Sequence, residues 1–104
     1  MFIRVFDIPK DLRTDELCVF IRRAIAEKFW LDPKMINVSL SPLPTSDRGP
    51  HGVLITGLAQ EQMSEYRTMV EVISGACAPY FDAHGYLWYG CQNPYLARIR
   101  KENG

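Results

Sequence analysis

The residues of this chain best suited to chemistry are few and far apart. Met1 carries a primary α-amino group, whose ordinary pKa of about 7.7–8.0 lies near enough to neutrality for a modest shift to make it a general base. Arg13, just ahead of a helix start, can clamp a substrate carboxylate through two parallel hydrogen bonds. These two are the candidate catalytic groups, with a solvated terminus and a solvated loop arginine as the competing readings. Arg4 shares a strand with Phe2, Phe6 and Ile8, and an unpaired charge on an apolar face is costly. It either binds a ligand carboxylate or pairs structurally with Asp7, Glu16 or a neighbouring subunit. Tyr89, beside Trp88 in the run YLWYGC, is the second candidate ligand-binding residue. Aromatics in a strand more often serve core or interface than a pocket wall.

Other chemistries find no support. His51, His84, Cys91 and Asp82 have no metal-ligand spacing, so no metal is expected. A Gly-rich phosphate loop, a nucleophile elbow and a paired-carboxylate signature are all missing, and no cofactor is expected. The three cysteines, Cys18, Cys77 and Cys91, form no CxxC and leave an odd count. Free thiols and a chain without a recognisable signal peptide suggest a reducing, cytoplasmic setting. No apolar run approaches bilayer-spanning length, so no membrane partner is expected. Lys plus Arg equals Asp plus Glu at 12 each. The basic excess that drives general nucleic-acid binding is therefore absent, and zero net charge favours self-association.

The elements that must position these residues read as two successive halves. At 104 residues the chain suits one domain. Residues 2–8 form an apolar strand, with Ile3 and Val5 on the face opposite Phe2, Arg4, Phe6 and Ile8. Thr14 is a helix N-cap followed by Asp15 and Glu16, acids that suit the helix dipole. Leu17, Phe20, Ile21, Ala24, Ile25 and Phe29 recur at helical spacing through residues 14–30. Asp32-Pro33 marks a short capped turn, and Ile36, Val38 and Leu40 alternate with polar residues as a half-buried strand. A Pro/Gly-rich connection, residues 41–52, joins the first half (1–41) to the second (52–92). There, a strand at 53–58 precedes a helix at 61–80, whose face holds Met63, Tyr66, Val70, Ile73, Ala76, Cys77 and Tyr80. Gly75 weakens that helix unless close packing demands it. Residues 86–91 read as a fourth strand, and the tail 93–104 contains a candidate edge strand at 95–99.

The expected fold is α/β (α+β): two βαβ units forming a four-stranded mixed sheet, with two helices on one face. Two architectures fit. In the ferredoxin-like one the second and third strands pair directly. In the other, two right-handed βαβ units share the sheet. The segment Leu12-Arg13-Thr14-Asp15-Glu16-Leu17, the helix with Ile21, Arg22 and Ile25, then Leu31-Asp32-Pro33 and Ile36-Asn37-Val38-Ser39-Leu40, resembles the first half of the tautomerase superfamily, which includes macrophage migration inhibitory factor. The second half is compatible with the longer members. The resemblance implies the second architecture and a trimer. It does not imply the activity, because the family's chemistry rests on an N-terminal proline and this chain has Met1-Phe2. The arginine the family carries on the strand after the turn would fall near Ser39, and only Arg13 stands near a family catalytic position.

The sequence therefore leaves two functional expectations. One is a small homo-oligomer, trimer favoured, that lacks standard tautomerase activity. The alternative is a tautomerase-like isomerase or binder acting on a small carboxylate-bearing molecule. An RNA-binding ferredoxin-like domain is disfavoured, since residues 3–6 and 53–55 lack the aromatic stacking pattern.

Overall fold

The structure is a computed structural model, and it describes residues 1–43 and 52–88. Three strands and two long helices appear in the order β1 (Phe2–Val5), α1 (Asp15–Phe29), β2 (Asn37–Leu40), β3 (Val53–Thr56) and α2 (Tyr66–Ala83). Short 3₁₀ turns at Lys10–Leu12, Pro33–Met35 and Gln60–Glu65 lead into α1, β2 and α2. The sheet order is β2-β1-β3. β1 runs parallel to β2 and antiparallel to β3. Since β1 separates β2 from β3, the direct pairing required by the ferredoxin-like alternative does not form.

Register and burial sort the sheet into two faces. Ile3 stands between Val38 and Ile55, and Val5 between Leu40 and Val53. Ile3, Val5, Val53 and Ile55 are buried. They join one core with Leu17, Ile21 and Ile25 of α1 and Met69, Val70, Ile73, Cys77 and Phe81 of α2. Both helices thus share one face, as the hydrophobic spacing predicts. The opposite face carries the rows Asn37–Phe2–Thr56 and Ser39–Arg4–Leu54, and no helix covers it among the described residues.

Local chemistry sets the element ends. Thr14 Oγ1 accepts from Leu17 N at 3.2 Å, confirming the N-cap of α1. Asp32 Oδ1 accepts from Lys34 N at 3.0 Å ahead of β2, with Pro33 in the first turn position. β1 is shorter than its apolar run because Asp7 adopts φ 58°. That turn sends Ile8 into the core at 1% exposure, not to the face shared by Phe2 and Arg4. Gly57, at φ 74°, ends β3. α2 begins five residues later than expected because Gln60–Glu65 winds as a 3₁₀ turn, with Ala59 N donating to Gln62 Oε1 at 2.9 Å. The Tyr66 hydroxyl then ties α2 to β3 by donating to the Ile55 carbonyl at 2.7 Å.

Two expectations need correction. The sheet has three strands among the described residues, not four. Residues 86–88 form no strand; the chain turns at Gly85, at φ 79°, and Tyr86 N donates to Phe81 O at 2.9 Å. Tyr86 and Trp88 fold back onto Phe81 instead of lining a sheet edge. Residues 89–91 and the tail strand at 95–99 lie outside the described residues. Close packing at Gly75 is not found either: a Cβ there would meet nothing within 4 Å. Gly75→Ala should therefore stabilise the fold by about 0.5–1 kcal/mol through helix propensity. A urea titration that shows a loss instead would mean that this helix face is packed against something.

Candidate functional site

The uncovered sheet face carries a concavity around one candidate residue, Arg4. It forms a cleft of about 310 Å³ lined by Phe2, Arg4, Asn37, Ser39, Leu54 and Thr56, with Ile3 and Val38 at its base. Arg4 crosses to the neighbouring strand, where its Nε donates to Ser39 Oγ at 3.4 Å. The expected partners Asp7 and Glu16 are not the ones it uses. No acidic side chain lines the cleft among the described residues. The register explains the arrangement: Arg4 and Ser39 are direct neighbours across β1 and β2, so a long side chain reaches the hydroxyl without bending the strand.

The other candidates are scattered. The Met1 α-amino group donates to the Met35 carbonyl at 3.1 Å, and Met1 O accepts from Asn37 N at 2.9 Å. The terminus is thereby tied to the entry of β2. Arg13 sits beyond the other end of β1, exposed, after the Lys10–Leu12 turn. About 13 Å of strand separates the two positions, so one chain does not bring Met1 and Arg13 together. Tyr89, His51 and Cys91 lie outside the described residues. No group of three or more His, Cys, Asp or Glu side chains that could hold a metal occurs among the described residues.

A polar cluster that sequence spacing does not reveal ties the start of α1 to the end of α2. The Thr14 and Tyr80 hydroxyls share a hydrogen bond of 2.9 Å. Tyr80 and His84 rings lie 4.5 Å apart, and His84 Nδ1 donates to the Tyr80 carbonyl at 2.9 Å. Nearby, Tyr86 OH donates to Asp11 Oδ2 at 3.0 Å, and that bond holds the phenol above its ordinary pKa. Thr14 and Tyr80 are each legible as a cap and a core position, but their contact spans 66 residues. The arrangement does structural work, because the Thr14 oxygen is engaged by Leu17 N and by Tyr80. On α1, burial and the Asp15 charge raise the Cys18 thiol, against the opposing effect of Arg22.

Trp30 is the odd residue of the surface. It occupies the left-handed C-cap of α1 at φ 56° and is 93% exposed. Glycine is the usual choice there, since a side chain in that conformation costs about 1–2 kcal/mol. Trp30→Gly should raise stability by about 1 kcal/mol, readable as a higher urea midpoint. A fall would show that the indole makes contacts that its exposure conceals.

No protein-family model matches this sequence, and no curated protein matches it. Among the described residues no helix is long and apolar enough to cross a membrane. The fold thus defines a small α+β domain with one sheet face that no helix covers among the described residues.

Proposed function

We propose that this chain is a self-assembling α+β module, tautomerase-like in arrangement and working as a homo-oligomer, with a trimer favoured, without proline-dependent tautomerase chemistry. The observation that carries the reading is the uncovered face with its rows Asn37–Phe2–Thr56 and Ser39–Arg4–Leu54. Phe2 is 58% exposed there. Among the described residues helices cover only one side of the sheet, and a second copy is an economical cover for the other, given a neutral chain with little mutual repulsion. The antiparallel junction of β1 and β3 supports the resemblance, since it sets the first strands of the two halves side by side. Residues 1–8 hold no proline that could supply the family's secondary amine on β1, which argues against the family's activity.

The test is a light-scattering mass on the full chain at micromolar concentration, together with a phenylpyruvate tautomerisation assay. The expected results are about three chain masses and no turnover above the uncatalysed rate. A clean monomer would overturn the assembly; turnover comparable with proline-bearing enzymes would overturn the inactivity.

A further inference from the structure

We infer that the groove along the exposed side of α1 is the docking site for an acidic amphipathic helix of a partner protein. The groove has a volume of about 420 Å³ and apolar walls from Val19, Ala26, Leu31 and Pro33. It follows the chain from Val19 to the end of α1, a rise of about 18 Å that suits a second helix laid alongside. Val19, Arg23, Ala26 and Trp30 follow at i, i+4, i+7 and i+11, one stripe turned away from the core residues Leu17, Ile21 and Ile25. Trp30 ends that stripe, 93% exposed in a left-handed conformation that glycine adopts at lower cost. Tryptophan and arginine are among the side chains that carry most of the binding energy at protein interfaces. The fold gives up stability to hold an indole in water beside an apolar groove, and a docked partner would cover it.

Charge sets the partner's chemistry. Arg22 and Arg23 both line the groove, and among the described residues neither is paired with a carboxylate. Arg22 Nε donates to the Ile36 carbonyl at 3.0 Å, which fixes its guanidinium at the groove wall. Glutamates flanking the apolar face of a partner helix meet both arginines through charge-assisted hydrogen bonds. Glu27 is the one acid among the described lining residues. A helix can set a neutral or basic residue against it, whereas a nucleic acid carries a charge at every step. A second copy fits poorly. With two α1 helices antiparallel across the groove centre, each Arg22 would face an arginine of the other copy. Sliding them until Arg22 and Arg23 meet Glu16 and Asp15 puts the two-fold axis at Val19, and Trp30 then lies past the start of the other α1, uncovered. None of the lining residues belongs to the sheet, so docking here does not rest on the assembly proposed above.

The experiment titrates the full chain into fluorescein-labelled peptides of about 16 residues with leucines at i, i+4, i+7 and i+11, flanked by glutamate, glutamine or lysine. Anisotropy at low salt reads the affinity. The glutamate peptide should bind at least about tenfold more tightly than the glutamine one, the ratio that one charge-assisted hydrogen bond supplies. The lysine peptide should bind most weakly. Arg23→Gln should remove that order, while Lys28→Gln, exposed on α1 but outside the groove, should keep it. Trp30→Gly should weaken the glutamate peptide at least about tenfold while raising the urea midpoint, a pairing that a merely structural indole would not give. No binding of the glutamate peptide at millimolar concentration, equal binding of the three peptides, or unchanged binding in Trp30→Gly would overturn the proposal. Tighter binding of a thymidine oligonucleotide would make nucleic acid the occupant and overturn it too. So would a fall in oligomer mass in Trp30→Gly without peptide, which would make the occupant a second copy.

Discussion

Phe81→Ala is expected to cost about 3–5 kcal/mol, a large part of the roughly 5–15 kcal/mol that holds a small domain together. Phe81 is 1% exposed. Its ring lies 4.8 Å from that of Trp88 and meets Tyr86 edge-on at 6.4 Å. Its carbonyl accepts from both His84 N and Tyr86 N, closing the end of α2. Truncation therefore opens a cavity where the helix end, the Gly85 turn and the returning aromatic segment meet. Urea unfolding followed by Trp88 fluorescence measures the loss, in a Trp30→Phe background so that one indole reports. Phe20→Ala is the matched control, because Phe20 is 46% exposed and its loss should stay within about 1 kcal/mol. If the two substitutions cost the same, the end of α2 is not the packing centre described.

How much of this could be read from the residues depends on the range of the interaction responsible. Thr14, with Asp15 and Glu16 behind it, and Asp32-Pro33 carry their information within three or four positions, so their roles were legible. The alternation of Ile36, Val38 and Leu40 was legible for the same reason. The end of β1 was not. Asp7 takes a left-handed conformation, which few residues favour, and one such residue moves Ile8 to the opposite face. The run YLWYGC has strand composition, yet residues 86–88 are drawn back onto Phe81 by tertiary packing, which overrides β propensity. Arg4 was legible as an anomaly, a charge on an apolar strand. Its partner was not, since Ser39 becomes its neighbour only once β1 and β2 pair in register.

Two adjacent residues give the sharpest test of the sheet's two faces. Ile3→Asp is expected to unfold the domain, while Phe2→Asp is expected to leave it folded and dissolve its assembly. Ile3 is 1% exposed between Val38 and Ile55, within the cluster shared with both helices. A carboxylate there has no cation among the core residues, and an unpaired buried charge costs several kcal/mol even after it neutralises by taking up a proton. Phe2, one residue earlier, points to the uncovered side and keeps 58% of its surface exposed. An aspartate at position 2 stays in water in the single chain, so the helical circular-dichroism signal and urea midpoint should change little. In an oligomer that packs this face inward, the buried ring of Phe2 is lost from every copy, whether or not Arg4 on the same face offsets the new charge. Self-association should then weaken by at least about tenfold, the equivalent of 1.4 kcal/mol. Circular dichroism separates the first outcome and sedimentation velocity the second. Folded Ile3→Asp would mean that the helices do not cover this side of β1. Folded Phe2→Asp with undiminished oligomer mass would mean that the copies meet through some other surface.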